Sequence, residues 1–153
     1  MKNCKICLNA MVGNEERVIK RMLESSYKHI DYWVIQCNGT DKTQSIIEEF
    51  YKEKKIPGFT YNHEWDYPGI NRDHTLQTAL KSNHGCDWIL RMDADEQLEV
   101  DDDFDWTILD HKDIESFNVT ATGAGSIYFR TWLWNANIPW RFEHDRRHEC
   151  VYI

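Results

Sequence analysis

No apolar run in this 153-residue chain approaches the roughly 20 residues needed to cross a bilayer, and no leader-like segment opens it. A cytoplasmic protein that does not span a membrane is expected. Basic charge is scarce as well. Its 18 lysines and arginines face 26 aspartates and glutamates, a net charge of −8, which argues against a nucleic acid partner. The five cysteines are odd in number and lack zinc-ribbon spacing, so free thiols are expected rather than a disulfide framework. Cys4 and Cys7 do form a Cys-x-x-Cys, but within a strand they point to opposite faces, and buried core thiols are the expectation. Internal repeats, low-complexity tracts and interdomain linkers are all missing. What remains is one domain, large enough to bury a core.

The most informative segment present is Trp88-Ile-Leu-Arg-Met-Asp93-Ala-Asp95-Glu96. An apolar run that reads as a buried strand stops in two carboxylates one residue apart. On extended backbone, side chains at i and i+2 share a face, so Asp93 and Asp95 are expected to converge. Carboxylates that close repel unless a cation lies between them, and hard oxygen ligands suit Mg²⁺ or Mn²⁺. Aspartates at the carboxyl end of a buried strand also lie where open α/β sheets bind ligands. The reading is a divalent-metal site for a phosphorylated ligand. An acidic protein that binds such an anion must neutralise charge locally, and an ion on Asp95 would do so. Asp101, Asp102, Asp103 and Asp105 read as a solvated loop after the site.

Strand and helix signals alternate along the chain. Cys4 to Met11 reads as a first strand, with Asn14 capping a helix whose apolar stripe is Val18, Ile19, Met22, Leu23 and Ser26. Tyr32 to Cys37 is a second strand, followed by a helix capped by Thr40 or Asp41 and carrying Ile46, Ile47 and Phe50. Phe59 to Asn62 can form a third strand, Tyr67-Pro68-Gly69 a loop, Asn71 to Ser82 a helix and Asp87 to Met92 a fourth strand. Ile114–Thr120 and Ile127–Phe129 are two further strands. The pattern predicts an α/β fold: a mostly parallel central sheet flanked by helices, with a small antiparallel C-terminal part.

Four segments in this order resemble the motifs of family 2 glycosyltransferases, enzymes of the GT-A fold. They are Met11-Val-Gly-Asn-Glu-Glu16, Val34-Ile-Gln-Cys-Asn-Gly-Thr-Asp-Lys-Thr43, Asp66-Tyr-Pro-Gly-Ile-Asn-Arg72 and Asp93-Ala-Asp-Glu96. His148-Glu149 matches a late His-Glu pair found in one branch of the family. The resemblance implies a single GT-A-like domain over 1–153, with a nucleotide-binding half at 1–96 and an acceptor-side half at 97–153. It implies an inverting enzyme that moves a sugar, with UDP-hexose the expected donor, to a hydroxyl of a saccharide, lipid or protein acceptor, using Mn²⁺ or Mg²⁺.

On this resemblance, Asn9, Ala10, Met11 and Glu15 border the base and ribose, and Gln36 stands where the family usually has an aspartate on the uracil ring. An amide offers donors and acceptors alike, so base selectivity stays open. Arg72 would pair with the pyrophosphate through its guanidinium fork. Asp93, Ala94 and Asp95 would meet the sugar nucleotide, with Asp95, Asp93 and His148 as metal ligands. Inversion requires a carboxylate base, for which Glu149 is the first candidate, ahead of Asp145 and Glu143. Gly123-Ala124-Gly125 is either a plain turn or a close approach to the donor sugar. Trp132, Trp134 and Trp140 either stack on an acceptor or pack in the core. Family members usually continue with helices that shape the acceptor site, so an acceptor side that is open, or completed by a partner or a second copy, is expected. Two other classes compete: a nucleotidyltransferase, for which Asn9-Ala-Met-Val-Gly-Asn14 has too few glycines and no basic residue, and an inactive scaffold that binds sugar nucleotides or carbohydrate.

Overall fold

A computed structural model describes residues 2–82, 84–123, 125–143 and 151–152. Its elements in chain order are β1 (Ile6–Val12), α1 (Ile19–Ser26), β2 (Tyr32–Cys37), α2 (Thr43–Lys54), β3 (Gly58–Tyr61), α3 (Pro68–Lys81) and β4 (Trp88–Arg91). A 3₁₀ turn (Trp106–Asp110) then leads to β5 (Ser116–Gly123), β6 (Ser126–Asn135) and the short strands β7 (Arg141–Phe142) and β8 (Val151–Tyr152). Six strands form one sheet in the order β3-β2-β1-β4-β6-β5, and β7 pairs with β8. The first four are parallel, while β6 runs antiparallel to both β4 and β5. This is the mixed α/β architecture expected from the sequence pattern.

The two faces of the sheet are covered by different elements. Alternate residues of β1 (Ile6, Leu8, Ala10, Val12) pack with Trp33 and Ile35 of β2 against Ile19, Met22 and Leu23 of α1 and Ile47, Phe50 and Tyr51 of α2. The opposite residues, Cys7, Val34 and Ile89, pack with Leu76 and Ala79 of α3, and with Trp134, Trp140 and Phe142. Cys4 and Cys7 therefore do lie on opposite sides, both buried, and Cys4, Cys7, Cys37 and Cys86 are free thiols. No helix among the described residues is long and apolar enough to cross a membrane.

Local chemistry explains where several elements begin and end. Pro68 occupies the first turn of α3, where its missing N–H costs nothing, so Tyr67-Pro68-Gly69 opens the helix instead of forming a loop before it. Asn14 does not cap α1. Its Oδ1 accepts the N–H groups of Thr40 (2.7 Å) and Asp41 (3.2 Å), tying the loop after β1 to the loop after β2. Asp41 Oδ1 accepts the Thr43 N–H at 2.9 Å and so covers the start of α2. Gly39 permits this lacing, because a Cβ there would collide with the Gly13 carbonyl.

Helix α2 ends at Lys55, which adopts left-handed backbone with φ 57°. An L-residue pays for that conformation and glycine does not. Lys55→Gly is expected to raise the free energy of unfolding by about 1 kcal/mol. A later urea midpoint at unchanged slope is the readout, and an earlier midpoint refutes the assignment.

Candidate functional site

Because β1 to β3 progress to one side and β4 lies on the other, the strand order reverses between β1 and β4. Open α/β sheets form their ligand crevice at such a point, beyond the carboxyl ends of the strands. Here those ends bring together Asn9, Ala10 and Met11 of β1, Arg91 of β4, and Arg72 and Thr75 of α3, with Phe142 beside them. The crevice widens into a cleft of about 510 Å³ lined by Arg72, Arg91, Asp93, Arg130, Thr131, Trp132, Trp134 and Phe142.

Asp93 is the focus of the cleft. Arg72 Nη1 donates to its Oδ1 at 3.0 Å, and Arg91 Nη2 lies 3.3 and 3.4 Å from its two oxygens. Two guanidiniums from different elements thus converge on Asp93. The pair is not laid out as an extended strand. β4 stops at Arg91, and the chain then turns: Glu96 Oε2 accepts the Asp93 N–H at 2.7 Å, while the Glu96 N–H donates to the Asp93 carbonyl at 3.1 Å. This reciprocal closure buries Ala94 and leaves Asp95 exposed, so Asp93 and Asp95 do not share a face by strand alternation. Burial raises the Glu96 pKa, and the neighbouring Asp93 charge raises it further.

The expected base-binding residues divide into two groups. Met11 is partly exposed at the crevice, and Glu15, in the loop after β1, is partly exposed and donates its N–H to Thr43 Oγ1 at 2.8 Å. Asn9 and Gln36 are instead committed to the interior. Asn9 Nδ2 donates to the carbonyls of Val34 (3.1 Å) and Thr75 (3.2 Å). Gln36 is fully buried: its Nε2 donates to Asn38 Oδ1 and Asn71 Oδ1, and its Oε1 accepts from Thr75 Oγ1 and Tyr61 Oη. The Gln36 amide thus joins the end of β2 to β3 and α3 through four hydrogen bonds. Asn71, the partner of Arg72 in the Asn-Arg motif, belongs to the same network.

The three late tryptophans are all buried, Trp134 almost completely, which favours core packing. Trp132 nevertheless forms part of the cleft floor, with the Arg91 guanidinium 5.6 Å and the Arg130 guanidinium 4.7 Å from its ring centre. Gly123 and Gly125 flank the connection between β5 and β6, away from the cleft lining. Glu143 is exposed, whereas Asp145, His148, Glu149 and Ala124 lie outside the described residues.

Three residues at the site escaped the sequence reading. Arg91 sat in plain view inside the β4 run, and a cation ending a buried strand is its signal. Arg130 carried none. Asp73 follows Arg72 directly, is nearly buried, and accepts the Phe142 N–H at 2.9 Å and Arg141 Nη1 at 3.4 Å, fastening β7 to α3.

Hard-oxygen donors are available for a divalent ion. Asp95 is exposed and makes no hydrogen bond or ion pair among the described residues, and Asp93 faces the cleft. No group of three or more metal-ligating side chains exists among the described residues. A magnesium-type ion that also binds substrate phosphates needs only one or two carboxylates, so the donor set fits.

No curated protein matches this chain. The family model for glycosyl transferase family 2 matches residues 12–105, from the end of β1 through the Asp93–Glu96 turn to the acidic loop. That match spans more than half of the chain and includes α3, β4 and the Asp93–Glu96 turn at the switch-point crevice, so the protein belongs to glycosyl transferase family 2 and is a glycosyltransferase.

Proposed function

We propose that the protein is an inverting hexosyltransferase that uses a UDP-hexose donor and a divalent cation, Mn²⁺ or Mg²⁺. The observation that carries this reading is the convergence of Arg72 and Arg91 on Asp93 at the switch-point crevice. Paired guanidiniums beside an exposed carboxylate suit a diphosphate, whose oxygens accept forked hydrogen bonds. Residues 1–96 then act as the donor half and 97–153 as the acceptor half. Ala10, Met11 and Glu15 border the nucleoside, with Asn9 and Gln36 supporting that wall from beneath.

Asp95, Asp93 and His148 would hold the ion, which when bound supplies Lewis-acid stabilisation of the departing diphosphate. The chain's own groups do the rest. Arg72 and Arg91 exchange Asp93 for phosphate oxygens and orient the leaving group. Ala94 lies at the turn beside the donor sugar. Glu149, with Asp145 as the next candidate, takes the proton from the acceptor hydroxyl as that oxygen attacks the anomeric carbon from the opposite face.

The test is calorimetric titration of UDP with Mn²⁺, with a chelator, and with Asp95→Ala in Mn²⁺. Affinity is expected to fall at least about tenfold, or 1.4 kcal/mol, in both the chelated and the substituted samples. Equal affinity in all three would remove the metal from the donor site.

A further inference from the structure

Beyond the donor-side pair, the cleft holds a third guanidinium whose setting differs. Arg130 projects from β6 on the same face as Tyr128, two residues away on regular strand, and a bulge that leaves Trp132 unpaired sets that indole beside it as well. Its guanidinium lies 4.9 Å from the Tyr128 ring centre and 4.7 Å from that of Trp132. Two rings therefore restrict it. Its hydrogen bond is to Tyr128 Oη at 3.4 Å, and among the described residues it makes no ion pair. Of the nearby carboxylates, Asp93 is held by Arg72 and Arg91, while Glu96 accepts the Asp93 N–H and feels the Arg130 charge without forming an ion pair with it. Arg91 and Arg130 flank Trp132, so Arg130 stands one indole farther along the cleft than the donor-side arginines.

A guanidinium held against two rings loses little freedom on forming a fork with an anion. In a protein of net charge −8, such a cation facing an open cleft selects sharply for sign. The cleft's lining as described contains three guanidiniums and one carboxylate. Arg72 and Arg91 already share that carboxylate, and Arg130 forms an ion pair with no described residue.

We propose that the acceptor is a sugar bearing an anionic group, a carboxylate or a phosphate, and that Arg130 anchors this group against Tyr128 and Trp132. The proposal rests on the glycosyl-transfer reading above and adds the chemical class of the acceptor to it. Trp132 would form the apolar floor beneath the sugar, and the anion would fix which hydroxyl points toward the anomeric carbon.

The experiment measures binding of methyl β-glucuronide, glucose 6-phosphate and methyl β-glucoside by calorimetry or ligand-observed NMR, with and without UDP and Mn²⁺. At least one charged probe is expected to bind about tenfold tighter than the neutral glucoside. The tighter of the two charged probes identifies carboxylate or phosphate as the source. Arg130→Met should erase the difference and Arg130→Lys should restore part of it, with UDP affinity and melting temperature unchanged. Equal binding of charged and neutral probes overturns the proposal, as does discrimination that survives Arg130→Met. Loss of UDP affinity in step with the sugar also overturns it, by moving Arg130 to the donor site. If the wild-type protein discriminates through Arg130 but binds no UDP, the anion site stands and the donor reading falls.

Discussion

Glu149→Gln is expected to lower turnover by roughly 10²–10⁴ while leaving UDP-sugar affinity nearly unchanged. The substitution keeps the size of the side chain and most of its hydrogen-bonding capacity, and removes only the charge that accepts a proton. A loss confined to turnover therefore reports a base, whereas a loss of affinity reports a binding role. Slow hydrolysis of the donor by water is a suitable assay, because it needs the same activation of an attacking oxygen and no particular acceptor. His148→Ala should behave in the opposite way, weakening Mn²⁺-dependent donor binding because it removes a ligand. If Glu149→Gln leaves hydrolysis intact and Asp145→Asn abolishes it, the proton belongs to Asp145. A wild-type protein that binds UDP-sugars and never turns one over would be a scaffold.

The elements that place the site were legible because parallel strands buried on both faces read as apolar runs, and β1, β2 and β4 do so. The Asp-x-Asp segment was legible as chemistry but not as geometry. Strand alternation predicted a shared face, and the hydrogen bonds of Glu96 to Asp93 turned the chain instead. Pro68 did carry a helix-start signal, outweighed in the sequence by the turn propensity of its neighbours. Other features depend on distant partners and leave no local trace. Asp73 meets Phe142 and Arg141 across nearly half the chain, and Arg130 becomes notable only once β6 sets it beside Arg91 and Trp132. Gln36 is the clearest case. Its motif position suggested ligand contact, and its burial depends on Tyr61, Asn71 and Thr75, which lie on β3 and α3.

Gln36→Leu is accordingly expected to destabilise the fold by about 2–4 kcal/mol, since polar partners left buried without a hydrogen bond cost about 1–3 kcal/mol each. Thr75 and Tyr61 would lose their acceptor, and Asn38 and Asn71 their donor. Part of the loss is recoverable, because Thr75 Oγ1 also lies 2.8 Å from the Asn71 carbonyl and Tyr61 Oη lies 3.3 Å from His74 Nδ1. That limits the cost to less than the sum of four orphaned groups. Gln36→Glu makes a sharper comparison. The protonated acid can mimic the amide in shape, but its ionised form sets a negative charge against Asn38 Oδ1 and Asn71 Oδ1 inside the protein. Its folded-state pKa should therefore rise above the unfolded value of about 4.3, so this variant loses stability as pH climbs through that interval. Urea midpoints at pH 4.5 and pH 8 measure the effect, with wild type as the reference for the pH dependence of all other groups. A Gln36→Leu protein that melts like wild type but no longer prefers uridine nucleotides would return Gln36 to the ligand. A protein that melts early, with its nucleotide preference intact, fixes it as the polar joint between β2, β3 and α3.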